Sequence, residues 1–294
     1  MRVDENENIE IDLLLEGIYQ KYGYDFRSYS KASLRRRIRK RLAASEFDSI
    51  SAMQHAVLYN PSFFDALLLD LSINVTEMFR DPSFYLALRQ KVIPELKGFP
   101  FIKIWHAGCA TGEEIYSMAI LLEEAGLRDR VQIYATDFNE VVLTKAREGI
   151  FPLRSMRSYT RNYQEAGGTE SFSKYYTARY DSAIIDPSLR KKIIFADHNL
   201  VTDGVFGEMH LIFCRNVLIY FNQALQSRVL NLFQDSLCEE GILCLGSRES
   251  LRFSQCSEAF EDLAKKEKIY RKKIENPPPF TPELGGENAL HGDL

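Results

Sequence analysis

Residues 102–122 read IKIWHAGCATGEEIYSMAILL, an apolar run that breaks at a turn bounded by Gly108 and Gly112 and resumes with helical spacing at Ile115, Met118, Ala119 and Leu122. The pattern predicts a strand, a glycine turn and a helix. In α/β proteins such a turn usually cradles a phosphate, because free backbone N–H groups and the positive end of the helix attract anions. Here the helix opens with Glu113 and Glu114, and the turn carries no Lys or Arg. Complementing the helix dipole explains one of these carboxylates at ~0.3–1 kcal/mol. The pair points to a ligand that is not a phosphate.

Working outward, FIKIWHAG, VQIYATD, KKIIFADHN, MHLIFCRN and GILCLGS are short apolar runs after Pro94, most of them followed by a helical stretch. Strands alternating with helices predict an α/β fold with a parallel sheet covered on both faces. Between Phe151 and Leu189 the alternation is interrupted by a segment rich in Tyr, Ser and Gly, which reads as an insertion with a small antiparallel element. From Ile9 to about Phe79 the pattern is helical, with the runs IDLLLEGIYQKY, SLRRRIRKRLAA and ISAMQHAVLY separated by short polar breaks. The expected organisation is a helical domain over residues 1–78, an α/β domain over 79–275 with its insertion at about 155–192, and a disordered tail at 276–294, where NPPPFTPELGGENALHGDL has little to bury. With 294 residues, two domains each large enough for its own core are expected.

Composition narrows the function. Apolar residues make up 45% and charged residues 27%, as in ordinary soluble proteins. The acidic start MRVDENENIE has no apolar signal region, and no run approaches the ~20 apolar residues of a membrane span, so a cytoplasmic protein without membrane insertion is expected. Five cysteines without a C-x-x-C pair read as reduced core residues, and nothing in the sequence suggests a metal. The net charge of −4 argues against nucleic acid as the main partner.

Ligands of open α/β sheets sit outside the carboxyl ends of the strands. The first end offers Gly108 through Glu114. The second offers Asp137, spaced from the glycine turn like the ribose-binding acid of dinucleotide folds, although an Asp there also suits the N-cap of the next helix. Asp197, His198 and Asn199 follow KKIIFA, where an acid or amide meets an adenine edge, and Arg215 and Asn216 follow the last of these apolar runs in FCRNVLIYF. A nucleoside fits, whereas a diphosphate does not, because the G-x-G-x-x-G spacing and the Walker lysine are missing. S-adenosylmethionine has adenine and ribose but no phosphate, and its sulfonium and ammonium are cations that carboxylates favour.

NVTEMFRD, GCATGEEIYS, ATDFNEVVLTKAREGIF, FADHNL and FCRNVLIYF follow one another as they do in the CheR-type chemotaxis receptor methyltransferases, and the chain resembles that family from the basic helix to about Tyr270. The resemblance implies a helical N-terminal domain, a Rossmann-like S-adenosylmethionine methyltransferase sheet with a small inserted β-subdomain, and methyl transfer to glutamate side chains of chemoreceptors or other signalling proteins, with S-adenosylhomocysteine as product. By motif, Asn74, Thr76, Arg80, Glu114, Asp137, Asn199, Leu200 and Asn216 resemble cofactor-contacting positions, and Arg80 and Tyr220 resemble residues placed near the transferred methyl. Three departures stand out: Met78 and Phe79 where two aromatics are common, Ile115 where a proline is usual, and GSRESL where the family shows glycine-histidine-serine-glutamate.

The chemistry is consistent with this. A glutamate is already ionised near pH 7, so no general base is required, and alignment is what remains to be supplied. Arg80 is assigned the positioning of the acceptor carboxylate and Tyr220 the sulfonium or methyl face. In SLRRRIRKRL the apolar stripe Leu34, Ile38 and Leu42 leaves Arg35, Arg36, Arg37, Arg39, Lys40 and Arg41 facing largely outward, and Arg36, Arg39 and Lys40 are assigned to an acidic protein substrate. Rival readings are a nucleic-acid amino methyltransferase, whose Pro-Pro-aromatic motif is absent after the fourth strand, a methyltransferase of a non-receptor protein, and a module that binds S-adenosylmethionine without catalysis.

Overall fold

In the computed structural model, residues 2–72, 76–205, 207–252 and 254–274 are described; Asn74 and the tail expected to be disordered lie outside them. The chain opens with four helices, α1 (Arg2–Tyr22), α2 (Lys31–Ala43), α3 (Ile50–Tyr59) and α4 (Pro61–Leu71). Ser49 caps α3 by accepting the Ala52 N–H, and Asn60 caps α4, whose first position is Pro61. Their apolar faces, including Leu14, Ile18, Leu34, Ile38, Val57 and Leu67, are fully buried.

The rest of the chain runs α5 (Pro82–Ala87), a π-helical turn (Leu88–Val92), α6 (Ile93–Leu96), β1 (Ile102–Ala107), α7 (Glu113–Glu124), β2 (Val131–Asp137), α8 (Glu140–Glu148), β3 (Ile150–Pro152), α9 (Met156–Glu165), β4 (Tyr176–Arg179), β5 (Ser182–Ile185), α10 (Pro187–Arg190), β6 (Ile193–Asp197), β7 (Met209–Cys214), α11 (Gln223–Ser236), β8 (Leu237–Leu245), β9 (Phe260–Ala264) and β10 (Ile269–Lys272). Among the described residues the main sheet has seven strands in the order β6-β2-β1-β7-β8-β10-β9. The first five are parallel, as the alternation predicts. The last two pair antiparallel and were not expected; their hairpin turns at the polar Lys265–Lys268 and carries too few residues to show a pattern.

The two faces of the sheet read directly from the period of two. Ile104, Leu211, Phe213, Ile242 and Cys244 join the core under α5, α7 and the insertion, while Trp105, Ile212, Cys214, Leu243 and Leu245 join the core under α11. That second core is continuous with the helices α1 to α4, so the helical part shares its core with one face of the sheet instead of holding a separate one, while the other face keeps a core of its own. The seam is aromatic: Phe26 meets Phe138 at 5.9 Å and Tyr29 meets Phe221 at 5.0 Å between ring centroids. Backbone bonds reinforce it, from Ser30 N–H to the Tyr220 carbonyl (2.7 Å) and from Asn222 N–H to the Ser28 carbonyl (2.9 Å).

The insertion forms an antiparallel three-stranded sheet in the order β3-β5-β4. Its first strand starts at Ile150, earlier than 155, because Ile150 and Phe151 pair with Ile184 and Ala183 immediately after α8 ends at Gly149. Tyr and Phe supply its core. Tyr163 and Tyr175 donate their hydroxyls to Glu124, whose other oxygen lies 2.5 Å from Arg89 Nη2.

Phe26 is 1% exposed at the seam. Phe26→Ala should cost about 3–5 kcal/mol of unfolding free energy. Denaturant titration reads this directly, and a loss below about 1 kcal/mol would show that the seam does not carry the stability its burial implies.

Candidate functional site

The parallel strands end together, and around their carboxyl ends a cleft of about 950 Å³, its open mouth included, is walled by the glycine turn, the ends of β2, β6 and β7, and the Tyr29 and Leu71–Ser72 segments of the helical part. Gly108 has φ 75°, and a Cβ there would stand 2.7 Å from Val217 Cγ2; Gly112 has φ 94°, with Ala146 Cβ 3.0 Å from a would-be Cβ. Both positions therefore need glycine, one for close approach to the loop after β7 and one to bring α7 against α8. Ala110 is also left-handed, at φ 48°. Its N–H donates to Asp137 Oδ2 at 3.0 Å, and Asp137 Oδ1 accepts from the Asn139 N–H at 3.1 Å. Asn139, not Asp137, caps α8 by accepting the Val141 N–H. Asp137 thus joins two turns at the cleft wall, and burial pushes its carboxyl up to about 6 against those stabilising N–H groups.

The two glutamates of the turn diverge. Glu113 accepts from Thr111 Oγ1 (2.6 Å) and Tyr159 OH (3.4 Å), facing the insertion, where burial raises its pKa. Only Glu114 lines the cleft. Its Oε1 lies 3.2 Å from His106 Nδ1 and its Oε2 2.9 Å from Arg215 Nη1. Burial pushes Glu114 upward, but the His106 hydrogen bond and the Arg215 charge outweigh it and leave the carboxyl below its ordinary value. The cation missing from the turn is therefore delivered by the end of β7.

Arg80 sits between two left-handed residues, Phe79 (φ 53°) and Asp81 (φ 58°). Met78 and Phe79 are fully buried, which explains why a methionine serves in that motif. The Phe79 N–H donates to Ser117 Oγ at 2.9 Å, and Asn162 Nδ2 of the insertion donates to the Met78 carbonyl at 3.1 Å. On the opposite side Asn216 is left-handed at φ 63°. Buried Glu249 accepts from the N–H groups of Gly246 (2.6 Å), Asn216 (3.0 Å) and Ile219 (3.4 Å), fixing the loop that ends in Tyr220. Sequence reasoning missed Glu249, although GSRESL flagged the segment.

The structure brings Thr76, Arg80, Gly108, Glu114, Asp137, Asn199, Leu200, Arg215, Asn216 and Tyr220 onto the wall of this one cleft. Arg36, Arg39 and Lys40 are not on it; they are exposed on α2. The outward orientation expected for all six cations of α2 is corrected at Arg37. This side chain is buried, donates to the Leu71 carbonyl and to Ser33 Oγ, and lies 4.7 Å above the Tyr220 ring. The spacing carried that signal, since Leu34, Arg37, Ile38 and Arg41 share one helical stripe. Arg39 pairs with Glu7 at 2.5 Å and Lys40 with Asp70 at 3.3 Å. Among the described residues no acidic partner faces Arg36.

A five-stranded parallel sheet extended by an antiparallel pair, with a glycine turn after β1 and an acid ending β2, defines an S-adenosylmethionine-dependent methyltransferase. The chain matches the family described as CheR methyltransferase, SAM binding domain, over residues 74–269, and its companion, CheR methyltransferase, all-alpha domain, over residues 9–72. It belongs to the CheR methyltransferase family. It is 54% identical to the putative methyltransferase Cher3 of Pseudomonas putida over 92% of this chain and 100% of that one. It is 30% identical to chemotaxis protein methyltransferase 2 of Vibrio cholerae over 79% of this chain and 82% of that one. Magnesium protoporphyrin IX methyltransferase of Synechocystis PCC 6803, solved with S-adenosylmethionine, aligns over 80% of this chain and 74% of its own at a TM-score of 0.33 and 12% identity, too loose a likeness to add to this.

Glu249→Ala should leave three N–H groups, that of Gly246 buried and those of Asn216 and Ile219 part-buried, without their acceptor and cost about 2–4 kcal/mol, while Glu249→Gln, keeping one oxygen, should cost about half as much. Equal losses in denaturant titrations of the two variants would show that packing, not hydrogen bonding, holds this loop.

Proposed function

We propose that the protein methylates glutamate side chains of a chemoreceptor or a related signalling protein, giving the glutamate methyl ester and S-adenosylhomocysteine. The observation that carries this reading is that Arg80 and Tyr220 line the same cleft as Glu114 and Asp137. The donor set fits S-adenosylmethionine better than a phosphorylated nucleotide. Asp137 suits two ribose hydroxyls, with Asn199 and Leu200 flanking the adenine side, and Thr76, Gly108, Glu114 and Asn216 completing the wall together with Asn74, which lies outside the described residues. Arg215, the cation paired with Glu114 of the glycine turn, is also engaged by Asp81, so its charge is not left over for a pyrophosphate.

When bound, S-adenosylmethionine supplies an electrophilic methyl group on a cationic sulfur. Arg80 holds one oxygen of the acceptor carboxylate and leaves the other to attack. The acceptor arrives ionised, so the site needs no base, and the cleft's task is alignment and exclusion of water. Tyr220, whose ring is held by the Arg37 guanidinium 4.7 Å from its centroid, is assigned the sulfonium or methyl face.

Substrate delivery is assigned to the exposed face of α2. Arg39 and Lys40 are already in surface ion pairs, which contribute only ~0–1 kcal/mol and exchange readily for a substrate carboxylate. Arg36 requires no exchange. Arg36→Glu should therefore raise the KM for protein substrate several-fold at low salt and lose that effect at high salt, because screening acts within ~10 Å at 0.1 M. A wild-type KM in steady-state assays would return α2 to a merely solvated face.

The central test is incubation with methyl-labelled S-adenosylmethionine and partner proteins. Label should be released by base as methanol and map to glutamates; base-stable label on lysine or arginine would refute the carboxylate reading. Arg80→Ala should lower turnover by about 10²-fold or more while changing S-adenosylhomocysteine affinity far less, because alignment is felt in the transition state. Equal losses in both would reassign Arg80 to cofactor binding alone.

The raised Asp137 predicts a pH signature. A ribose hydroxyl donates to the ionised carboxylate, so binding lowers a pKa that stands at about 6 in the free protein. Affinity for S-adenosylhomocysteine, measured by calorimetry, should be level above pH ~7 and fall by up to tenfold per unit below about 6. Asp137→Asn should bind more weakly at pH 8 and lose that dependence. A flat wild-type profile in folded protein would remove Asp137 from ribose binding.

A further inference from the structure

Arg215 directly follows β7 on the cleft wall with its side chain only 2% exposed, and its charge is engaged within the protein. One arm of the guanidinium, Nη1, lies 2.9 Å from Glu114 Oε2. The other, Nη2, lies 2.7 Å from Asp81 Oδ2 and 3.5 Å from the Arg80 carbonyl oxygen. The Phe84 ring covers the guanidinium at 3.9 Å. Glu114 belongs to the first turn of α7, at the cofactor side of the cleft, whereas Asp81 precedes α5 in the loop that carries Arg80. A single buried cation thus spans the two.

Asp81 itself gives a second, independent sign. It occupies the N-cap position of α5, where an Asp ordinarily accepts a backbone N–H, yet its side chain makes no capping bond and its backbone is left-handed. The carboxylate is turned to Arg215 instead.

We propose that Arg215 is a positioning residue for Arg80, tethering the Arg80 loop through Asp81 to Glu114 so that the cofactor-facing wall and the acceptor-facing arginine are held in one fixed relation. This rests on the methyl-transfer reading of the cleft. Arg215, assigned from its place at a strand end to the cofactor, lines the cleft with both arms engaged by Glu114 and Asp81, and its effect on transfer is exerted through Arg80.

The test uses Asp81→Asn, which removes the charge but keeps the shape of a side chain that is 40% exposed, so folding is preserved. Arg215→Lys keeps the charge and loses the two-armed fork. Asp81→Asn should lower the single-turnover methyl-transfer rate at saturating cofactor and substrate by at least about tenfold, with S-adenosylhomocysteine affinity within about threefold of wild type. Hydrogen exchange of the amides at positions 78–81 should accelerate about tenfold or more while the global melting temperature moves by no more than ~2 °C. Arg215→Lys should fall between wild type and Asp81→Asn in both rate and exchange. A merely structural role would instead lower melting temperature, affinity and rate together. The proposal is overturned by a wild-type rate in Asp81→Asn, by a lost rate with unaltered exchange, or by parallel losses in affinity and rate. If wild-type protein yields no base-labile label, the methyl-ester reading fails, and unaltered exchange in Asp81→Asn would separately overturn the tether.

Discussion

The buried guanidinium of Arg215 is the contact on which the site's arrangement depends. Moving a cation out of water costs several kcal/mol, and in this interior the cost is offset by Glu114, Asp81 and the Phe84 ring. Removing Glu114, the more buried partner, would leave the guanidinium largely uncompensated at a cost of about 3–5 kcal/mol, whereas the 40% exposed Asp81 carboxylate can be replaced by water with little loss of global stability and serves to couple the Arg80 loop to the end of β7 and the first turn of α7. The same contact answers the charge problem posed by the glycine turn. Of its two carboxylates only Glu114 reaches the cleft, already balanced by a cation from a strand more than ninety residues away in sequence. The cleft is left neither strongly acidic nor basic, a setting suited to a ligand that brings both cationic and neutral polar parts.

Strain is concentrated around this contact. Phe79, Asp81, Ala110 and Asn216 are left-handed without being glycine, at a cost of order 1–3 kcal/mol each. Each is held by a polar partner from another segment: Ser117 Oγ, Arg215, Asp137 and Glu249, respectively. The holding groups are buried, so exchanging them for water is unfavourable, and the strained turns persist because their neighbours over-determine them. Arg80 and Tyr220 are thereby presented from short, rigid turns instead of mobile loops.

Much of this was legible in the sequence, for identifiable reasons. The central parallel strands β1, β2 and β7 are largely buried on both faces and read as apolar runs, and the glycines at 108 and 112 mark the turn they are needed for. Asp137 stands where a strand ends, so the path of the chain carried it to the cleft, whereas Arg80 and Tyr220 were reached through the resemblance of NVTEMFRD and FCRNVLIYF to the family. What escaped depends on direction or on distant partners. Glu113 and Glu114 are adjacent and chemically identical, and only the packing of Tyr159 and the arrival of Arg215 send them to opposite sides. Glu249 bonds backbone groups of a loop about thirty residues earlier, which no local pattern reveals. Arg37 was hidden by a rule of thumb that charged side chains face water, although its spacing placed it on the buried stripe.

Arg37 also clarifies what the helical part contributes. Tyr29, Leu71 and Ser72 are part of the cleft wall, and Ser72 Oγ accepts from Asn139 Nδ2 at 3.0 Å beside Asp137. The helices therefore complete the site instead of merely standing next to it. Consecutive residues of a helix project about 100° apart, so α2 offers Arg36 to solvent while Arg37 lies on the Tyr220 ring within the same turn. Rotating α2 to follow a partner outside would strip a buried guanidinium from both the ring and the Leu71 carbonyl, which is unfavourable by the same desolvation argument that holds Arg215. The outer charges of α2 are thus fixed relative to the cleft, and a protein substrate that docks on them must bring its side chain to the site, because the site cannot move to the side chain.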